Sequence, residues 1–220
     1  MFGLGRRKDA GLESLATVIQ GTVDREGHLR GTVRGRAVEA WFERLDPTPL
    51  TGITSFNPVY ANVLRLRLEG RGSTPWYVRS EARLGIGGGH VYEFVREAAP
   101  AALRRFSPFP DLMPVQDRAV EARLQDAGLM EAIARVSPPS RLWLPRVRFT
   151  PDPRAAMMER MRGVPIPAGV SGTPSATAKV GLEIDLERDD GGGPTPERFA
   201  EILEGLIAVA ELNEAVSPGS

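Results

Sequence analysis

The chain contains no cysteine. That absence excludes a disulfide framework, a thiolate nucleophile and any cysteine-based zinc site, and it fits a reducing compartment. Histidine and lysine are almost as scarce. His28 and His90 are the two histidines, and every basic residue except Lys8 and Lys179 is arginine. Two histidines without cysteine do not make a classical zinc site, and Schiff-base chemistry has very few lysines to use. The chain has no excess of either charge: 28 basic residues balance 28 acidic ones. It therefore has no global attraction to nucleic acid or an anionic membrane, although a local basic patch remains open. No apolar run approaches the ~18 residues of a membrane span. In "MFGLGRRKDAG" the charges of Arg6, Arg7 and Lys8 follow the apolar residues instead of preceding a long apolar run, so a secretory signal is not expected.

The 220 residues are 41% hydrophobic and 25% charged, an ordinary globular composition with enough apolar material for a core. Prolines punctuate the chain into a flexible start (1–8), a β-rich half (9–97), a connector (98–114), an α/β half (115–216) and a tail (217–220), with one continuous domain as the alternative. Leu12, Leu15, Ala16, Val18 and Ile19 predict a helix over Ala10 to Gln20 that stops at Gly21. "HLRGTVRGRAVEAWFERL" predicts two strands around a turn at Arg34-Gly35. Val38, Ala40 and Phe42 then face away from Glu39, Trp41 and Glu43. Asp46 to Pro58 reads as a loop.

"VLRLRLEG" shows the clearest alternation, with Leu64, Leu66 and Leu68 opposite Arg65, Arg67 and Glu69. "PWYVRSEARL" reads as its hairpin partner across "RGS", and "HVYEFV" as a further strand. "DRAVEARLQDAGLMEAIARV" predicts one helix, or a strand over "AVEARL" before a shorter helix from Asp126. "SRLWLPRVRF" predicts a strand placed by Pro145 at an edge or a bulge. "PRAAMMERMRG" has helical character, and Gly163 to Thr173 reads as a loop. "AKVGLEIDLERDD" predicts a strand with Val180, Leu182, Ile184 and Leu186 inward. Thr195, Pro196 and Glu197 make a helix start, and the apolar stripe from Phe199 to Ala210 makes a long amphipathic helix. The predicted class is α+β, a mainly antiparallel sheet with helices packed on one face.

Few stretches look like chemistry. "RLGIGGGHVYEF", Arg83 to Phe94, concentrates four glycines in five positions. A phosphate-binding fingerprint needs a third spaced glycine and a following helix. Here His90 holds the glycine position and a strand pattern follows. A kinase-type glycine loop lacks the lysine it needs on the next strand. A hairpin turn is the preferred reading. The alternative is an anion- or nucleotide-binding turn using Arg79, Arg83, Gly85, Gly87, Gly88, Gly89 and His90. "GVSGT" around Ser171 misses the second glycine of a nucleophile elbow and follows both histidines instead of preceding one. "DLERDDGGGPTPE" lacks the glycine and the glutamate of a calcium loop.

Glu183, Asp185 and Glu187 share one strand face, as do Arg65 with Arg67 and Arg146 with Arg148. If these strands are neighbours, the face becomes a ladder of arginine–carboxylate pairs. If they are not, Trp41, Arg65, Arg67, Arg146 and Arg148 form a partner-binding or polyanion-binding face. The balanced charge favours the ladder. The expectation is a non-catalytic cytoplasmic protein that acts through another protein or a larger assembly. No cofactor is expected, and nucleic acid is a disfavoured partner.

Overall fold

The computed structural model describes residues 6–45, 61–72, 75–86, 90–97, 118–139, 145–150, 181–187 and 193–215. The expected α+β class is found. In chain order the elements are α1 (Arg6–Ala16) with a 3-10 turn (Thr17–Ile19), then β1 (Thr22–Val23), β2 (Leu29–Val33), β3 (Arg36–Leu45), β4 (Ala61–Glu69), β5 (Trp76–Leu84) and β6 (His90–Glu97). These are followed by α2 (Arg118–Leu124), α3 (Ala127–Val136), β7 (Pro145–Thr150), β8 (Gly181–Glu187) and α4 (Pro196–Glu214). The eight described strands form one sheet in the order β1-β2-β3-β4-β8-β7-β5-β6, and every neighbouring pair is antiparallel.

Local chemistry accounts for the ends of these elements. Arg34 and Gly35 both take positive φ, 47° and 75°. That is the geometry a two-residue hairpin needs to match strand twist, and it joins Val33 to Arg36 as expected. Thr195 caps α4 by accepting from the Arg198 N–H at 3.3 Å, with Pro196 in the first turn. The first helix begins earlier than its apolar spacing suggests and tightens into the 3-10 turn. Gln20 closes it in the left-handed region at φ 49°.

The apolar face is built from registered rows. Ala40, Leu66, Ile184, Val147 and Val78 stand side by side across five strands, as do Val38, Leu68, Leu182, Phe149 and Trp76. The helices lay Leu12, Leu15, Leu129, Ile133, Phe199, Ile202, Leu206 and Ile207 over these rows, and all are buried. The last turn of α4 is tied down at the sheet end. Arg36 donates two hydrogen bonds of 2.8 Å to Glu214, and Trp76 donates its indole N–H to Asn213 at 2.9 Å.

Three expectations need correction. First, β5 is not the hairpin partner of β4; β8 and β7 lie between them. On the second face a β4–β5 pair would bring Tyr77 and Arg79 toward the β4 arginines, whereas β8 brings Glu183 and Asp185 directly opposite them. Second, the single helix expected here is two, α2 and α3, separated at Gln125–Asp126, and "AVEARL" is helix and not the alternative strand. There Asp126 caps α3 by accepting from the Leu129 N–H at 3.0 Å. Third, of the edge or bulge expected at Pro145 the structure has the bulge and not the edge, since β8 and β5 flank β7. Its proline is tolerated because Pro145 is the first strand residue and sits at a bulge. The β5 register passes from Val78–Val147 directly to Arg79–Pro145, which leaves Arg146 as the extra residue. Asp46 to Pro58, the 98–114 connector, the 151–173 stretch and Trp143 lie outside the described residues.

Candidate functional site

The second face of the sheet carries charge in rows. Arg30, Glu39, Arg67, Glu183 and Arg148 are direct cross-strand neighbours on β2, β3, β4, β8 and β7, so the sign alternates from strand to strand. Arg65 and Asp185 form the adjoining rung between β4 and β8. Arg67 Nε donates to Glu183 at 2.6 Å and its terminal nitrogen reaches Glu39 at 3.4 Å. Arg65 Nε donates to Asp185 at 2.8 Å, and Arg65 also pairs with Glu43 at 2.6 Å. Arg148 donates to Glu183 and, at 2.7 Å, to Asp185. Buried Arg146 donates to the main-chain oxygen of Asp185 at 3.1 Å.

The ladder is therefore present, and its centre is shielded from water: Glu183 is 4% exposed and Asp185 1%. Burial alone would favour the neutral acid at Glu183. The guanidinium groups of Arg148 and Arg67 outweigh it and hold the carboxyl below its ordinary pKa. Burial likewise opposes the charge on Arg148, but Asp185 and Glu183 hold its pKa above the ordinary value.

Around β2 and β3 the ladder reaches His28. That histidine is half-buried, with Nδ1 3.0 Å from Glu39 Oε1, and its ring stacks on Trp41 at 5.2 Å and 3°. Arg67 and Arg65 lie 5.1 and 5.8 Å from the Trp41 ring centre, and the indole N–H donates to Glu43 at 3.1 Å. A hollow of about 330 Å³ opens over Ala37, between Arg30, Glu39, Arg67 and Glu69. Its walls are already engaged: Glu39 accepts from Arg30 Nε at 3.0 Å, and Glu69 accepts from the Ala37 N–H at 3.0 Å. Glu39 is thus a junction for His28, Arg30 and Arg67. The signal available for it was its place between arginine-bearing strands.

The glycine stretch lies at the other end of the sheet. β5 and β6 pair over eight residues, from Tyr77–Glu97 to Leu84–His90, so the stretch is a hairpin connection between strands. Arg79 is half-buried on the ladder face and Gly85 follows β5. Gly87, Gly88, Gly89 and the side chains of Arg83 and His90 lie outside what is described. The structure puts Leu84 at 81%, Ile86 at 111% and Val91 at 56% exposure at that same hairpin end. Two of these, Leu84 and Ile86, flank Gly85 in "LGI".

Among the described residues no group of three or more histidines or carboxylates could hold a metal ion. No described helix is long and apolar enough to cross a membrane. Comparison with protein-family models, with curated proteins and with solved structures finds no match to this chain.

Proposed function

We propose that this chain is a non-catalytic, cytoplasmic protein-interaction or assembly module whose contact point is the open end of the β5–β6 hairpin. One observation carries the reading. Among the described residues, the large aliphatic side chains left exposed are Leu84, Ile86 and Val91, and all three lie at this one end of the sheet. Exposed aliphatic surface concentrated at one place marks a site that another surface covers. A protein partner fits better than nucleic acid, because Arg65, Arg67 and Arg148 are engaged by carboxylates within the sheet. The absence of cysteine suits the cytoplasm.

The test is a photo-crosslinking residue at Ile86 in the native host, compared with the same probe in a Leu84→Ser background. The reading expects one or a few discrete adducts that Leu84→Ser removes while the melting temperature stays unchanged. No adduct, or adducts indifferent to Leu84→Ser, would sink it.

A further inference from the structure

The two edges of the sheet differ. β1 contributes only Thr22 and Val23, too short to template another strand. β6 runs from His90 to Glu97, pairs with β5 at every position without a bulge, contains no proline and, among the described residues, ends the sheet order. The core is also less complete at this side. In the neighbouring strand Val78 and Ser80 are fully buried, whereas Phe94, opposite Ser80, is only partly covered on the apolar face.

We propose that β6 pairs antiparallel with β6 of a second copy of this chain, with the two-fold axis at Phe94. This goes beyond the interaction reading above, because the pairing takes in Val91 but neither Leu84 nor Ile86. The register follows from parity and charge. In a continuous sheet about a two-fold axis, opposed residues share a face, so the axis passes through a residue. Centred on Glu93, the pairing opposes two glutamates. Centred on Val95, it opposes positions 93 and 97, both glutamate. Centred on Phe94, it uses positions 91–97 and opposes Phe94 to Phe94 and Glu93 to Val95 of the second copy. The aromatic pair closes the open flank of the core, and no like charges meet. A Tyr92-centred pairing also avoids the clash but engages only positions 90–94. A second copy can therefore pair with this edge over seven positions without a like-charge contact.

Position 95 gives a charge-swap test, because it faces Glu93 of the other copy twice per dimer. Val95→Glu creates two like-charge contacts and Val95→Lys two opposite-charge contacts. Sedimentation or light scattering across a concentration series should show a wild-type dimer that Val95→Lys retains. Val95→Glu should weaken it about tenfold or more relative to Val95→Lys. Circular dichroism confirms that both variants fold.

The cysteine-free chain allows a second measurement that does not depend on those variants. An oxidised mixture of Glu93→Cys and Val95→Cys chains should form a covalent dimer with one of each. Glu93→Cys alone should remain uncrosslinked. Equal behaviour of the two Val95 variants, or self-crosslinking of Glu93→Cys, overturns the register. A monomer at every concentration overturns the second copy as occupant. If Ile86 crosslinking still captures Leu84-dependent adducts from such a monomer, the interaction reading stands without self-association. If it captures none, both readings fail.

Discussion

Glu183 shows how one side chain joins three strands. From β8 it accepts from Arg67 on β4 and Arg148 on β7, and it is almost fully enclosed. Removing a single partner from a buried ion pair leaves the others desolvated and undercompensated. Glu183→Gln is expected to cost about 3 kcal/mol in denaturant unfolding. Glu131→Gln, in the exposed Glu131–Arg135 pair, should leave the midpoint unchanged. The same carboxylate sets a pH dependence. Its folded pKa lies below the ordinary 4.5, so the unfolded chain binds the proton more readily. The stability it contributes is complete above that value and is lost as the pH falls through it toward the lower folded pKa. Melting temperatures measured from pH 6 down to pH 3 should fall more steeply for the wild type than for Glu183→Gln. Parallel curves would contradict the assignment. The ladder's existence could be read from the arginine and carboxylate alternations. Its burial could not, since alternation gives the face a residue points to and says nothing of what encloses that face.

At the scale of elements, strands and caps were legible where the pattern is local. The faces of β3, β4 and β8 follow from Val38/Ala40/Phe42, Leu64/Leu66/Leu68 and Leu182/Ile184/Leu186, and the start of α4 follows from Thr195-Pro196. What failed was the choice of neighbour. A short connection between β4 and β5 suggested a hairpin, but β8, far away in the chain, supplied both the opposite charges and the matching apolar row. The start of β8 depends on a glycine for the same pairing. Gly181 sits at φ 151°, and a Cβ there would lie 2.0 Å from the Leu68 main-chain oxygen. Gly181→Ala must therefore push β8 away from β4. We expect a loss above about 2 kcal/mol, read as a lowered unfolding midpoint. A midpoint within experimental error of the wild type would show that the β4–β8 pairing tolerates displacement there.

At the scale of the whole molecule, strands from before residue 98 and after residue 114 share one sheet. β8 and β7 from the later stretch are inserted between β4 and β5 of the earlier one. A chain ending after β6 would leave β4 and β5 each with an unpaired edge and without the α3 and α4 residues that cover the rows. Residues 1–97 and 115–220 expressed apart should each lack a cooperative thermal transition, and co-expression should restore one. A cooperative melt from either fragment alone would refute this dependence.

By itself the sequence determined the strand faces, the Arg34-Gly35 turn, the capped start of α4 and the exclusion of thiol chemistry. The first three rest on residues close together in the chain, where side-chain period and backbone preference act directly, and the last on composition alone. Only the tertiary structure decided that β8 lies against β4, that the centre of the charged face is enclosed, that His28 meets Glu39 and Trp41, and that Leu84, Ile86 and Val91 remain exposed at the end of the β5–β6 hairpin. Those outcomes depend on which distant strands win the competition for each edge. That competition is settled by summed cross-strand packing and charge, and no local period encodes it.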